Sequence, residues 1–195
     1  MLSQGVRVKD LVGIVLFSRL LVLLIIIVSS VIVDWLPEAP KLNVPFLGLF
    51  YKWDSGYYLG LATDGYSLKE DVWAFRPFYP VVLWALGSPF TGFLGKLESF
   101  LIAGLLWNIF AFTLAAIYLY KLSGLLLDHQ SAYYTVLFLS IFPATVFFTA
   151  IYPESTYLLL VVASFYYLEK GQIPLAVLLA ALAGFTRPEG FLLFI

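Results

Sequence analysis

Residues 11–33 constrain the fold most. They form an almost unbroken run of Leu, Ile and Val carrying one charge, Arg19. At about 1.5 Å per helical residue the run can cross a hydrocarbon core roughly 30 Å thick. Backbone groups in lipid must be satisfied internally, so a chain that starts this way is helical or a closed barrel. Arg7 and Lys9 ahead of the run place its start in the cytoplasm. The run exceeds a cleavable signal core and no small-residue cleavage site follows it, which makes it a retained signal anchor. Arg19 lies roughly 13 Å in from the cytoplasmic end. Snorkelling or pairing with a neighbouring helix is the expected role there, ahead of a lipid-phosphate contact.

The rest of the chain has the same character. Hydrophobic residues make up 62% and charged residues 12%, against about 45–50% and about 25% in soluble domains. An integral membrane protein with one membrane-embedded domain over residues 1–195 follows. A net charge of −1 gives no basic stripe for nucleic acid. The absence of cysteine excludes disulfides, thiol catalysis and thiolate-bound metals, and one histidine, His129, cannot build an imidazole zinc site. His129 beside Asp128 reads as a solvated loop residue. Asp64, Glu70 and Asp71 are carboxylates of a kind common in loops, so neither a divalent metal nor another cofactor is expected.

Further apolar runs at about residues 99–120, 131–151 and 155–168, with one starting near Pro174, predict an all-α, polytopic protein of about five spans. Pro143 should kink the third. Residues 34–70 are the least hydrophobic part, and Pro37, Pro40 and Pro45 oppose a continuous helix, so an ordered loop with short interfacial helices is expected there. The run after Phe75-Arg76-Pro77-Phe78-Tyr79-Pro80 is broken by Gly87-Ser88-Pro89, too early for a span. Read as a juxtamembrane or re-entrant helix, it leaves Lys121 and Lys170 with Arg7 and Lys9 in the cytoplasm.

That topology brings three polar clusters to the opposite, extracytoplasmic face. They are Trp53-Asp54-Ser55-Gly56-Tyr57-Tyr58, Tyr152-Pro153-Glu154-Ser155, and Arg187-Pro188-Glu189-Gly190. Two carboxylates and a guanidinium beside a lipid-filled groove suit a sugar phosphate on a lipid tail. A carboxylate, Asp54, would deprotonate the attacking hydroxyl, with Glu154 positioning the acceptor or assisting as an acid. Arg187 and Arg76 would hold the phosphate. Trp53, Tyr57, Tyr58, Tyr152 and Glu189 complete the expected binding surface. The plainer readings are an interfacial aromatic belt, a dipole-complementing Glu154 at a helix start, and an Arg187–Glu189 pair ending a span.

The order Trp53-Asp54, Gly65-Tyr66, Phe75-Arg76-Pro77-Phe78-Tyr79-Pro80, Phe142-Pro143-Ala144 with Tyr152-Pro153-Glu154-Ser155, and Thr186-Arg187-Pro188-Glu189-Gly190 resembles the PIG-V family of mannosyltransferases. The resemblance runs from about Phe50 to Gly190. It implies a GT-C fold, with a long first extracytoplasmic loop that carries juxtamembrane helices and the catalytic acid at Asp54. It also implies a polyprenyl-phosphate sugar donor (dolichol-phosphate mannose in eukaryotic members, which build GPI-anchor precursors), an inverting transfer to a lipid or glycan acceptor, and no metal. Family members have more spans than the five counted here. An unusually short member, a missing remainder, and a partner subunit that completes the protein all fit. The alternatives are a non-catalytic lipid-sugar-binding or scaffold subunit and, with little intramembrane polarity beyond Asn108 and Arg19 to favour it, a transporter. The lack of a large lumenal domain or retention signal suits a prokaryotic plasma membrane, or the ER membrane in a eukaryote.

Overall fold

The computed structural model describes residues 7–32, 42–66 and 72–194, and every regular element among them is helical. Asp34, Pro37, Pro40, Glu70 and Asp71 lie outside the described residues. Helix α1 covers Val8–Ile32 and opens with Asp10 in its first turn, paired with Arg7 at 3.0 Å. The run Ile25-Ile26-Ile27-Val28 is β-branched and a weak helix former in water. In an apolar medium the helix is its one means of satisfying the backbone.

After α1 the chain forms a 3-10 turn, Pro45–Phe50, and helix α2, Ser55–Asp64, which ends at Gly65 with φ +74°. Helix α3 spans Phe78–Gly87 and runs through a 3-10 turn at Ser88–Phe90 into the short α4, Thr91–Leu94. Pro89 sits in the first positions of that 3-10 turn, where its missing amide N–H interrupts no helix hydrogen bond. Helix α5, Lys96–Leu126, is 31 residues or about 46 Å long. It starts earlier and ends later than its apolar run, continuing past Lys121 because the next helix signal comes only at Asp128. There the Asp128 carboxylate accepts from the amides of Gln130 and Ser131 at 2.9 and 3.0 Å, fixing the start of α6, His129–Ile141. His129 is therefore the exposed first residue of a helix rather than part of a loop.

The third expected span is interrupted rather than kinked. Pro143 holds Phe142 extended (φ −58°, ψ 140°), α6 stops at Ile141, and residues Pro143–Phe148 continue as a 3-10 turn. Helix α7, Glu154–Glu169, is followed by a tight turn at Gly171 (φ +71°) and by α8, Ile173–Thr186. Pro188 then forces Arg187 into extended geometry (φ −145°, ψ 145°), and a last 3-10 stretch, Pro188–Phe194, folds back on α8. By length and composition two helices, α1 and α5, can cross a membrane.

Helix α5 is the hub. Its middle packs Phe112 and Ala116 against Leu11 and Val15 of α1 and Val136 of α6. Its first half packs Phe100 and Leu101 against α2, α3 and Ile151. Helices α7 and α8 meet through small residues, with the Ser164 hydroxyl donating to Ala176 O at 2.9 Å. Lys96 at the start of α5 pairs with Asp64 at the end of α2, 2.9 Å apart, and the Glu98 carboxylate accepts from the Asn43 amide. Helix α5 thus starts beside the first loop and runs back antiparallel to α1, as a non-crossing α3 requires. Single cysteines at exposed Trp73 and at exposed Gln130 test this. An impermeant thiol reagent applied from outside is expected to label Trp73→Cys and spare Gln130→Cys; equal labelling would overturn the arrangement.

Candidate active site

The first cluster is a strained turn locked from two sides. Trp53 has φ +48°, the one non-glycine residue with positive φ among the described residues. Such a conformation costs on the order of 1–3 kcal/mol and persists only where its surroundings over-determine it. Here they do. The fully buried Ser55 hydroxyl donates to Lys52 O at 2.7 Å and accepts from the Lys52 amide at 2.6 Å. From the other side the Tyr152 hydroxyl accepts from the Asp54 amide and donates to Lys52 O, both at 3.2 Å. Asp54, at the N-cap of α2, is exposed, and its carboxylate makes no cap hydrogen bond.

Aromatic rings build the walls. Tyr57 stacks on Phe75 at 4.8 Å, while buried Tyr58 meets Phe75, Tyr79 and Tyr152 edge to face at 5.0, 5.3 and 6.4 Å. Trp53 is exposed and leans on Phe147, 6.3 Å away. Burial pushes the Tyr152 phenol up to about 12, so it stays a neutral donor to Lys52 O.

The second and third clusters come together. The Arg187 guanidinium bonds Glu154 Oε1 and reaches both oxygens of Glu189 at 3.4 Å, with Tyr157 stacked 5.9 Å away. Glu154, just ahead of the apolar part of α7, has its second oxygen buried without a partner. Burial pushes its carboxyl above the usual range, an effect that Arg187 opposes and the Asp54 charge adds to. Hydrogen bonds from Arg187 hold Glu189 below its usual range. Gly190 makes this turn, since a Cβ there would lie 2.3–2.5 Å from backbone atoms of Ala183 and Gly184. The Tyr152 hydroxyl bonds the Asp54 amide, and Glu154, two residues on, bonds Arg187, which places all three clusters at one end of the bundle.

Arg76 stands apart from that knot. Its guanidinium lies 5.7 Å from the Phe191 ring, its Nε is buried without a partner, and it lines a separate pocket of about 310 Å³ with Tyr66, Trp73 and Phe75. Lys52, which sequence reasoning passed over, lines another. An apolar groove of about 690 Å³ runs along α1 from Asp10 to Ile26 against α6 and Val146. A cavity of about 290 Å³ shares Ile25, Ile26 and Val146 with it and ends at Lys52, Trp53 and Tyr152. The signal was a lysine beside the Trp53-Asp54 pair. Asp64, a carboxylate considered for metal binding, is taken up by Lys96, and among the described residues no three His, Asp or Glu side chains cluster.

A family model described as Mannosyltransferase (PIG-V) matches residues 8–194. The human GPI alpha-1,6-mannosyltransferase 2 is 37% identical over 149 residues, covering 74% of this chain and 30% of its own length. The Cricetulus griseus protein of the same name is 33% identical over 167 residues, covering 83% and 32%. The GPI mannosyltransferase 2 of Drosophila pseudoobscura pseudoobscura is 32% identical over 136 residues, covering 60% and 29%. The chain thus spans about a third of the length of the curated relatives it matches. No solved structure matches. These relatives are animal proteins, and the prokaryotic host suggested by the sequence finds no support among them. With the family model matching residues 8–194 and the human relative 37% identical over 74% of the chain, the chain belongs to the PIG-V family of mannosyltransferases.

Proposed function

We propose that the chain carries the catalytic end of a GT-C-type enzyme that moves mannose from a polyprenyl-phosphate carrier to a hydroxyl of a lipid or glycan acceptor. The observation that carries this reading is the apolar groove along α1 together with the cavity that adjoins it at Ile25, Ile26 and Val146 and ends at Lys52 and Trp53, the two residues that precede exposed Asp54. A prenyl tail fits the groove. The donor phosphate then meets Lys52, and the sugar lies beside Trp53 and Asp54. Asp54 takes the acceptor proton and the freed oxygen attacks the anomeric carbon from the face opposite the phosphate. The bond to phosphate breaks with its electron pair on the leaving oxygen, and the configuration inverts.

The acceptor approaches past Glu154, which Arg187 holds in place, and past the pocket of Arg76 and Tyr66. Arg187 is committed to two carboxylates; Lys52 at the end of the cavity and Arg76 in its own pocket are positioned for phosphate groups. A leaving monophosphate carried by side-chain cations calls for no resident metal or cofactor. The face is extracytoplasmic, and with animal relatives the ER membrane replaces the prokaryotic one as the expected site. Spans beyond α1 and α5, from this polypeptide or a partner subunit, would close the groove.

The test is to incubate purified protein in lipid nanodiscs with radiolabelled polyprenyl-phosphate mannose and acceptor lipid. Transfer, or slow release of mannose by water, is expected. Saturable donor binding with neither would make the chain a lipid-sugar-binding subunit instead.

A further inference from the structure

Arg19 is 1% exposed inside α1, and every hydrogen-bond partner it has among the described residues is neutral. Its Nη2 donates to Ser140 O at 2.9 Å and to the Thr145 hydroxyl. Its Nη1 donates to Thr145 O at 2.9 Å and to the Thr149 hydroxyl at 3.1 Å. The Phe112 ring covers the guanidinium at 4.2 Å. Burying a cation without a carboxylate is costly unless its donors are satisfied, and simple helix ending does not demand it. Ser140 O is one of the orphan carbonyls left where α6 stops before Pro143. A neutral hydroxyl could satisfy that group. What the planar fork adds is reach, because it ties together points before, within and after the break.

The tied segment leads straight to the site. Thr149 is three residues from Tyr152, and Asn108 of α5 pins the intervening chain by donating to Ala150 O and, at 3.1 Å, to Tyr152 O. Tyr152 in turn holds Lys52 O and the Asp54 amide, the two sides of strained Trp53. We infer that Arg19 is a positioning residue. By fixing the break between α6 and α7 from within α1, it sets the Tyr152 lock that aims Asp54, some 35 positions away in sequence.

The catalytic part of this inference rests on the function proposed above; the structural part does not, and the experiment separates them. Thr149→Val removes one acceptor while keeping the charge satisfied elsewhere, and Arg19→Lys keeps the charge but loses the fork. Protein in nanodiscs is followed by hydrogen–deuterium exchange of peptides over residues 51–58 and by transfer kinetics. Both variants should raise exchange at 51–58 about threefold, with peptides over the Gly171 turn unchanged. Both should lower kcat about tenfold, with KM for the donor within about twofold, as misaimed groups do. Adding Tyr152→Phe to Thr149→Val should cost no more than the larger single loss. Unchanged exchange at 51–58 in both variants, or additive losses in the double variant, would overturn the inference. If the parent protein shows no transfer, the exchange result alone decides it.

Discussion

Replacing Asp54 by Asn is expected to lower mannose transfer by about 10²–10⁴-fold, the span a positioned general base contributes, with the folded protein unchanged. The fold should tolerate it because the Asp54 carboxylate is exposed and caps nothing. The turn that presents it is held through backbone atoms, by Ser55 and Tyr152, and an amide of the same shape leaves those bonds in place. Initial rates with labelled donor, read beside a thermal unfolding curve in detergent, measure both quantities. Transfer within about threefold of the parent would remove Asp54 from the base role and leave Glu154 and Glu189 as the remaining carboxylates at the site.

The physical terms that set the helices are local, and the sequence displays them. The long apolar run of α1, the Asp128 cap and the prolines at 143, 153 and 188 place helix boundaries to within a few residues. The end of α5 was less legible, because Lys121 reads as polar in a hydropathy pattern yet costs a helix nothing. What joins the clusters was only partly legible. The convergence of Asp54, Glu154 and Arg187 follows from whether α3 crosses, a question of pairing between distant segments such as Lys96 and Asp64. The left-handed Trp53, the Tyr152 lock and the cavity ending at Lys52 depend on packing between α1, the first loop and residues 143–152, which periodicity does not encode. Arg19 was legible as a buried, neighbour-pairing charge. Its partners were not, because they are backbone carbonyls and hydroxyls that carry no charge signal.

Arg187→Gln should be the most damaging substitution for stability among the site residues. Arg187 is the shared counter-charge of Glu154 and Glu189, whose side chains are 24% and 53% exposed. Glu189 can turn to water when the guanidinium goes; Glu154, with one oxygen already buried and unpartnered, cannot. Breaking a fully buried pair costs about 3–5 kcal/mol, and the partial exposure of both partners here brings the expected loss to about 1–3 kcal/mol. The pH dependence identifies the cause. Burial holds the folded-state pKa of Glu154 above its unfolded value, and Arg187 is the one opposite charge among the described residues that opposes that shift. A raised folded-state pKa means that the folded protein keeps its proton longer, so stability is greatest at acid pH and is lost as pH rises through that pKa. The unfolding temperature of Arg187→Gln should therefore fall further below the parent at about pH 8 than at about pH 5. Adding Glu154→Gln removes the buried charge and should recover most of the loss at the higher pH. A deficit that stays flat with pH and is not relieved by Glu154→Gln would mean that Arg187 stabilises the turn through packing on Tyr157 rather than through charge.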